Sequence, residues 1–205
     1  MHPRIPMLAT CLCLAILAGC GVTPPARFYI LTPVEASGAK TEPGPGLGIG
    51  PVVFPGYLDR LEIVHRSGAN QLQFADSDRW AEPLKTTFSR TLVENLSVML
   101  ATDRINLYPW ARSTRIDYQI SIDVERFDAD ASGTVTLTAG WKIMLPDDGT
   151  VVSRNRQTYT EAAGGMDYPA IVAAQSRTVE RLARDIAMTV TELPADREGR
   201  QRRKQ

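Results

Sequence analysis

Strict alternation of apolar and polar side chains is the feature that most limits how this 205-residue chain can fold. Between residues 115 and 125, every even position is apolar and every odd position is charged or polar. Residues 134–145 repeat the alternation with the apolar side chains at odd positions. Because successive side chains of a β-strand point to opposite faces, both segments are expected to be strands with one apolar face. They predict a β-hairpin that turns within residues 128–133.

The register of this hairpin is limited by the same pattern. Bringing both apolar sets to one face of an antiparallel pair requires partner numbers with an odd sum, because a slip of one residue would bury the charges. Residues 146–149, Pro-Asp-Asp-Gly, then turn the chain into a third strand over residues 151–160. We therefore predict a three-stranded antiparallel meander.

Two further segments have the spacing of amphipathic helices. In residues 79–100 the apolar side chains, beginning with Trp80, fall near one face, with Ser77 or Asp78 as N-cap and Pro83 in the first turn. A second stripe runs from an Asp167 cap to the stop at Pro194. Its apolar members are Val172, Val179, Leu182, Ile186, Val190 and Leu193.

Shorter segments complete the predicted fold. Strands are expected at residues 27–31, 47–54 and 103–110, and a hairpin at 62–66 and 71–74. Pro51 favours an edge or a bulge, and Trp80 and Trp141 are expected in the core. The fold class is α+β, a mainly antiparallel (mixed) sheet with two amphipathic helices packed on one face. The other face stays open to a partner.

The N-terminus predicts export and lipid attachment. An apolar run over residues 7–17 follows Arg4, and the small residues Ala18 and Gly19 precede Cys20. This segment resembles the lipobox of bacterial lipoproteins, so we expect cleavage between Gly19 and Cys20 and a diacylglycerol on the Cys20 thiol. An ordinary signal peptide with a chance cysteine is the alternative. In lipoproteins of this kind, an aspartate directly after the cysteine favours retention in the inner membrane. Gly21 occupies that position here, so we expect attachment to the outer membrane.

The expected organisation follows from these segments. Residues 1–19 form the signal peptide, 20–26 a lipidated tether, 27–194 a single α+β domain and 195–205 a disordered basic tail. The tail is expected to be solvated, with contact to anionic lipid or cell-wall polymer as the alternative.

Composition excludes several kinds of chemistry. The chain has 23 basic and 23 acidic residues and no net charge, which gives nucleic-acid binding no support. Processing and acylation would leave no free thiol, and one histidine, His65, would remain, on a predicted strand. Three aspartate pairs are assigned to turns or a helix start, where aspartate accepts backbone hydrogen bonds: Asp76 with Asp78, Asp128 with Asp130, and Asp147 with Asp148. We therefore predict a non-enzymatic protein without catalytic residues, metal or cofactor beyond the acyl anchor.

Short motifs in order resemble one known family over nearly the whole mature chain. They read FYIL at 28–31, IGPV at 49–52, PGYLDR at 55–60, IVHR at 63–66, DRWAEPL at 78–84, LVENL at 92–96 and LARDIA at 182–187. The chain resembles the PqiC/YmbA-type auxiliary lipoproteins of ABC-type and MCE lipid transport systems.

The resemblance implies a function. It implies a homo-oligomer at the periplasmic face of the outer membrane, working with a periplasm-spanning MCE-domain protein and its membrane partner in phospholipid traffic and envelope integrity. The motif match also suggests a partner interface, although a role in the fold is as good an interpretation for each residue: Tyr57, Leu58, Arg60, Arg79 and Trp80.

Two other functions stay open at this stage. The chain could be a structural or assembly lipoprotein of another envelope complex, which predicts a different copurifying assembly. It could also be a periplasmic binding protein or hydrolase, which would need an enclosed pocket with converging titratable groups.

Overall fold

A computed structural model describes residues 25–35 and 44–193. The signal segment, Gly19, Cys20, most of the tether and the basic tail lie outside the described residues, so what is said of them above stays a prediction.

The described residues form one mixed eight-stranded sheet and two α-helices, which confirms the α+β class. A 3-10 helix, Gly56–Leu58, lies between the second and third strands. The strands are β1 Arg27–Tyr29, β2 Leu47–Val53, β3 Glu62–Gly68, β4 Gln71–Trp80, β5 Ile105–Leu107, β6 Tyr118–Ala129, β7 Thr134–Met144 and β8 Val151–Ala162, and the helices are α1 Leu84–Leu100 and α2 Tyr168–Glu192. Neither of these helices is long and apolar enough to cross a membrane within the described residues.

The predicted meander is confirmed as β6, β7 and β8. Ile120 lies opposite Ile143, an odd sum as required. A bulge between Val124 and Arg126 then adds one residue to β6, so that Phe127 returns to the apolar face opposite Leu137. The bulge extends the strand four residues beyond the predicted end at 125 and places Asp128 inside β6.

The centre of the sheet is β6. It pairs with β7 along one edge and with β2, then β3, in parallel along the other. β2 also pairs with β5, but only through Leu47, Gly48 and Ile49, so Pro51 lies beyond that ladder. The alternative prediction, a bulge, is confirmed by the register shift between Ile49 and Val52.

The predicted start of the first helix is wrong. Residues 79–80 end β4, where Trp80 lies opposite Tyr29 of β1, and α1 begins only at Leu84. Pro83 takes the N-cap position and no side chain caps the helix, so neither Ser77 nor Asp78 is the cap. Proline disfavours helical backbone in the residue before it, and β1 offers β4 a ladder instead.

The second helix is confirmed, with Asp167 accepting a hydrogen bond from the Ala170 amide at 3.4 Å. Both helices pack on one face of the sheet. The ring of Phe88 in α1 lies 5.7 Å from that of Phe127, and Tyr159 of β8 donates to Asp185 of α2. Trp80 and Trp141 are both buried, as predicted.

Candidate functional site: the open face of the sheet

The face of the sheet opposite the helices carries a concentrated set of charged side chains. Directly opposite residues share a face, so the ladder from Asp123 through Gly140 to Arg156 places these positions together, away from the helices. We call this surface the open face. Its charged members are Arg66, Asp123, Glu125, Arg126, Asp128, Lys142, Arg154 and Arg156.

A buried carboxylate lies at one end of the open face. Asp128 is fully buried and accepts hydrogen bonds from the Tyr57 hydroxyl, Arg66 Nε and Arg126 Nε, each at 2.9 Å. We call these four residues the Asp128 cluster. Its members come from the 3-10 helix, β3 and β6, so the charge-assisted bonds tie three elements together.

The pKa values of Tyr57 and Arg66 in the Asp128 cluster are both raised. Burial, with the nearby Asp128 charge, raises the pKa of Tyr57. Burial alone would lower the pKa of Arg66, but its hydrogen bond to Asp128 outweighs this and the pKa rises. The tyrosine therefore stays a neutral donor and the guanidinium stays charged, as a structural clamp requires.

A groove of about 550 Å³ lies further along the open face. Gly140 leaves its floor without a side chain, and strands β2 and β8 supply the walls through Val53 and Arg154. A Cβ at Gly140 would meet only the Asn155 carbonyl oxygen, at 3.7 Å, so the space belongs to solvent and not to a packed neighbour. The site is an open groove and not an enclosed cavity.

The charges around this groove are partly unpaired. Arg156 forms a bidentate pair with Glu125, with distances of 2.7 and 2.5 Å, and these hydrogen bonds lower the pKa of Glu125. Lys142 and Arg154 form no ion pair with any described side chain, and neither does Asp123. Two cations are therefore free to meet a partner's carboxylates.

The residues suggested by motif match do not form one surface. Leu58 and Trp80 are 4% and 2% exposed, so they are core residues, and their assignment to a surface interface is corrected. Their apolar side chains are removed from water by the sheet and its covering elements. Tyr57 belongs to the Asp128 cluster and is half-buried.

The two arginines of that set are accessible. The Arg60 guanidinium lies 3.9 Å from the centre of the Phe74 ring, and its Nε donates to the Tyr57 carbonyl at 3.2 Å. Arg79 lies 3.9 Å from Glu62. Their role in a partner interface stays a prediction.

Sequence reasoning missed the Asp128 cluster, and its assignment of three aspartates to turns or a helix start is wrong. Asp76, Asp78 and Asp128 lie inside strands. The bulge after Val124 gave no sequence signal, whereas the alternation itself had already placed Lys142 on the polar side. Asp130 and Asp148 do accept backbone hydrogen bonds at turns, as predicted.

Other candidate groups have ordinary partners. His65 lies on β3, as predicted, with Nε2 3.0 Å from Gln73 Oε1 and Nδ1 3.4 Å from the Tyr168 hydroxyl. Within residues 25–35 and 44–193, no three His, Cys, Asp or Glu side chains are grouped so that they could hold a metal ion.

Fold and site together define a two-layer α+β protein whose sheet is covered by helices on one side and presents a charged groove on the other. The chain belongs to the family of ABC-type transport auxiliary lipoprotein components, whose family model matches residues 29–187. A search of curated proteins found no match.

Solved structures show the same fold. The crystal structure of an uncharacterized protein has a TM-score of 0.67 at 18% identity and covers 82% of this chain and 99% of that one. Protein XCC0632 from Xanthomonas campestris, of family DUF330, also has a TM-score of 0.67, at 20% identity, with 80% and 95% covered. A dodecameric PelC from Paraburkholderia phytofirmans is less similar, with a TM-score of 0.42 at 16% identity over 71% of this chain and 90% of that one.

Proposed function

We propose that this chain is a non-enzymatic lipoprotein of an ABC/MCE-type intermembrane lipid transport system, anchored through acylated Cys20 to the periplasmic face of the outer membrane. It acts as a homo-oligomer and supports envelope integrity by binding the periplasm-spanning MCE-domain protein. Membership of the transport auxiliary family and the lipobox resemblance support the proposal.

The observation that carries the docking role is the open face itself. It is uncovered by either helix, and at its groove Lys142 and Arg154 have no ion-pair partner among the described side chains. Unpaired cations around a concave surface attract and orient an acidic partner surface. Anchoring keeps the domain near the membrane, so a weak contact works at high effective concentration.

The protonation chemistry favours docking over hydrolysis. A general acid or base needs a pKa near the working pH. In the open face the shifts move away from neutrality: the pKa of Glu125 is lowered by Arg156, and the pKa of Tyr57 is raised by burial. In this proposal the partner proteins move the lipid and this subunit holds them in place.

Crosslinked copurification from native membranes tests the docking. Reversing both free cations, with Lys142→Glu and Arg154→Glu, should abolish recovery of the MCE-domain protein. The matched control reverses two charges on α1, Lys85→Glu and Arg90→Glu, and should leave recovery intact, since both residues are exposed on the helical side. The Glu82 partner that Arg90 loses is a surface ion pair of small energetic value.

The outcomes separate the candidates. Equal recovery with both double variants would overturn docking through the open face. Recovery of a different envelope complex with the wild-type chain would support the assembly-lipoprotein alternative. Mass spectrometry of the exported protein tests the anchor, and an unmodified Cys20 thiol would overturn it.

A further inference from the structure

The outer edge of β8 is closed at one end by arginines from α2. Among the described strands, this 12-residue strand pairs only with β7. Arg181 Nη1 donates to the Thr160 carbonyl at 3.0 Å, and Arg177 Nη2 donates to the Ala162 carbonyl at 3.2 Å. The outward-facing backbone groups of β8 at this end therefore belong to even-numbered residues.

Nearer the start of β8, the backbone groups along the same edge are not covered by any described arginine. In an antiparallel strand the N–H and C=O of one residue point to the same side, and the side alternates from residue to residue. The backbone groups of Arg154, Arg156 and Thr158 therefore point outward, away from β7. Among the described residues, none of these groups has a hydrogen-bond partner.

We infer that this open edge, residues 154–158, binds an extended acidic segment of a partner protein as an additional strand. Strand addition of this kind gives affinity through main-chain hydrogen bonds and specificity through alternate side chains. The inference deepens the proposed docking function by naming the contact, but the binding event does not depend on which protein supplies the segment.

Charge on both sides of the edge selects an acidic occupant. On the open face an added strand would lie beside Arg154 and Arg156. On the helical side it would pass a polar depression of about 370 Å³ lined by Arg181, Arg184 and Asp185, where the two arginines also pair with Glu161 and Glu180. A strand with carboxylates at alternate positions would place opposite charges next to these cations, a pairing that stabilises neighbouring strands.

The same arginines disfavour a second copy of β8 as the occupant in the registers centred on residues 154–156. In an antiparallel pair of identical strands centred on residue 155, Arg154 of each copy would lie directly opposite Arg156 of the other. Centring on 154 would place Arg154 opposite itself, and centring on 156 would place Arg156 opposite itself. Like charges directly opposite are destabilising, and charged edge residues are a common protection against self-association.

A matched pair of variants tests the backbone contact. Thr158→Pro removes one outward N–H, and an edge strand tolerates proline at such a position. Thr158→Ala keeps the N–H. Both variants lose the same Thr158 hydroxyl contact with Thr138. The probe is a soluble peptide of alternating Thr and Glu, eight residues long, with both termini blocked. It is titrated at low salt into the purified full-length chain carrying Cys20→Ser, which has no acyl group.

The expected result is a gradation. Thr158→Pro should bind the probe roughly threefold to tenfold more weakly than Thr158→Ala, the loss expected for one backbone hydrogen bond. Arg154→Glu should lose the Glu probe and bind the same peptide with Lys in place of Glu. Melting temperatures of the Pro and Ala variants identify any general loss of folding.

Hydrogen exchange supplies a readout that surface docking alone would not give. Bound probe should slow exchange at the even-numbered amides 154, 156 and 158, whereas 155 and 157 already bond to β7 and should change little. Equal affinity of the Pro and Ala variants, or no alternating protection, would overturn strand addition. Because the probe is tested on purified protein, that failure would leave the copurification test of the open face untouched.

Discussion

Two buried aspartates use the same chemistry to hold two very different parts of the sheet. Asp78 of β4 accepts hydrogen bonds from Arg27 and Tyr29 at 2.8 and 2.7 Å. Asp128 of β6 accepts three, from the donors of the Asp128 cluster. The two carboxylate side chains are 6% and 0% exposed, so each has exchanged water for a tyrosine and arginine.

The difference lies in where the donors come from. Both donors to Asp78 belong to β1, a strand of three residues whose one partner among the described strands is β4. The donors to Asp128 come from three elements that meet at the centre of the sheet. We therefore expect loss of Asp78 to free a peripheral strand and loss of Asp128 to weaken the whole fold. Cooperative units of different size respond in this way.

The largest effect is expected for Asp128→Asn, which keeps the shape and removes the charge. Two guanidiniums would then lose their buried counter-charge, at a cost of about 3 kcal/mol in the free energy of unfolding, the lower part of the range for a broken buried pair. Urea denaturation measures it. Asp123→Asn, exposed and unpaired on the same strand, is the control and should change little. Equal effects of the two variants would remove the global role of the cluster.

A smaller and local effect is expected for Asp78→Asn. Loss of two hydrogen bonds to a charged acceptor should cost about 1 to 2 kcal/mol, since Arg27 is largely exposed and can return to water. Hydrogen exchange should quicken at the Ala81 amide, which bonds to the Tyr29 carbonyl. Asp76→Asn on the same strand is the control. Faster exchange throughout β6 and β7 would show that β1 is not a separate unit.

Part of this fold could be predicted from the sequence because apolar and polar side chains alternate along its longer strands. The hairpin, its odd-sum register and the Asp167-capped helix all follow from side-chain pattern and capping chemistry. The predicted start of the first helix is too early because Trp80 fits both a helical stripe and the end of a strand. Its true partner, Tyr29, is far away in the sequence.

The buried aspartates could not be predicted for a related reason. An aspartate near glycine and serine is typical of a turn, and only a bulge places Asp128 inside β6. Its three donors lie up to 71 positions away from it in the sequence, so no local pattern brings them together. The open groove was partly predictable, since the alternation had already put Lys142 on the polar face.

Alkaline pH should weaken the Asp78 contacts. Burial, followed by the hydrogen bond to Asp78, raises the pKa of Tyr29 to about 12, against about 10 in the unfolded chain. The folded state therefore holds this proton more tightly, and the stability it contributes is complete below pH 10 and lost as the pH rises toward 12. Tyr29→Phe should be less stable than wild type at pH 9, and the gap should close between pH 10 and 12.

A constant gap between wild type and Tyr29→Phe across that range would contradict the raised pKa. Tyr57→Phe sharpens the comparison, because the pKa of Tyr57 is also raised by burial. Its gap should close as well, but its unfolding should remain a single transition, whereas the Tyr29 variant should expose β1 first.

The smallest effect is expected for Arg60→Ala, beside the Asp128 cluster but outside it. Its described contacts are the face of the Phe74 ring and the Tyr57 carbonyl, and an exposed cation–π contact contributes about 0.5 kcal/mol. Arg66→Ala, which strips Asp128 of a donor, should cost several times more. Because Arg60→Ala leaves the fold intact, copurification with the MCE-domain protein can be read directly. Lost recovery at unchanged thermal stability would assign Arg60 to the partner interface, and a large fall in stability would assign it to the fold.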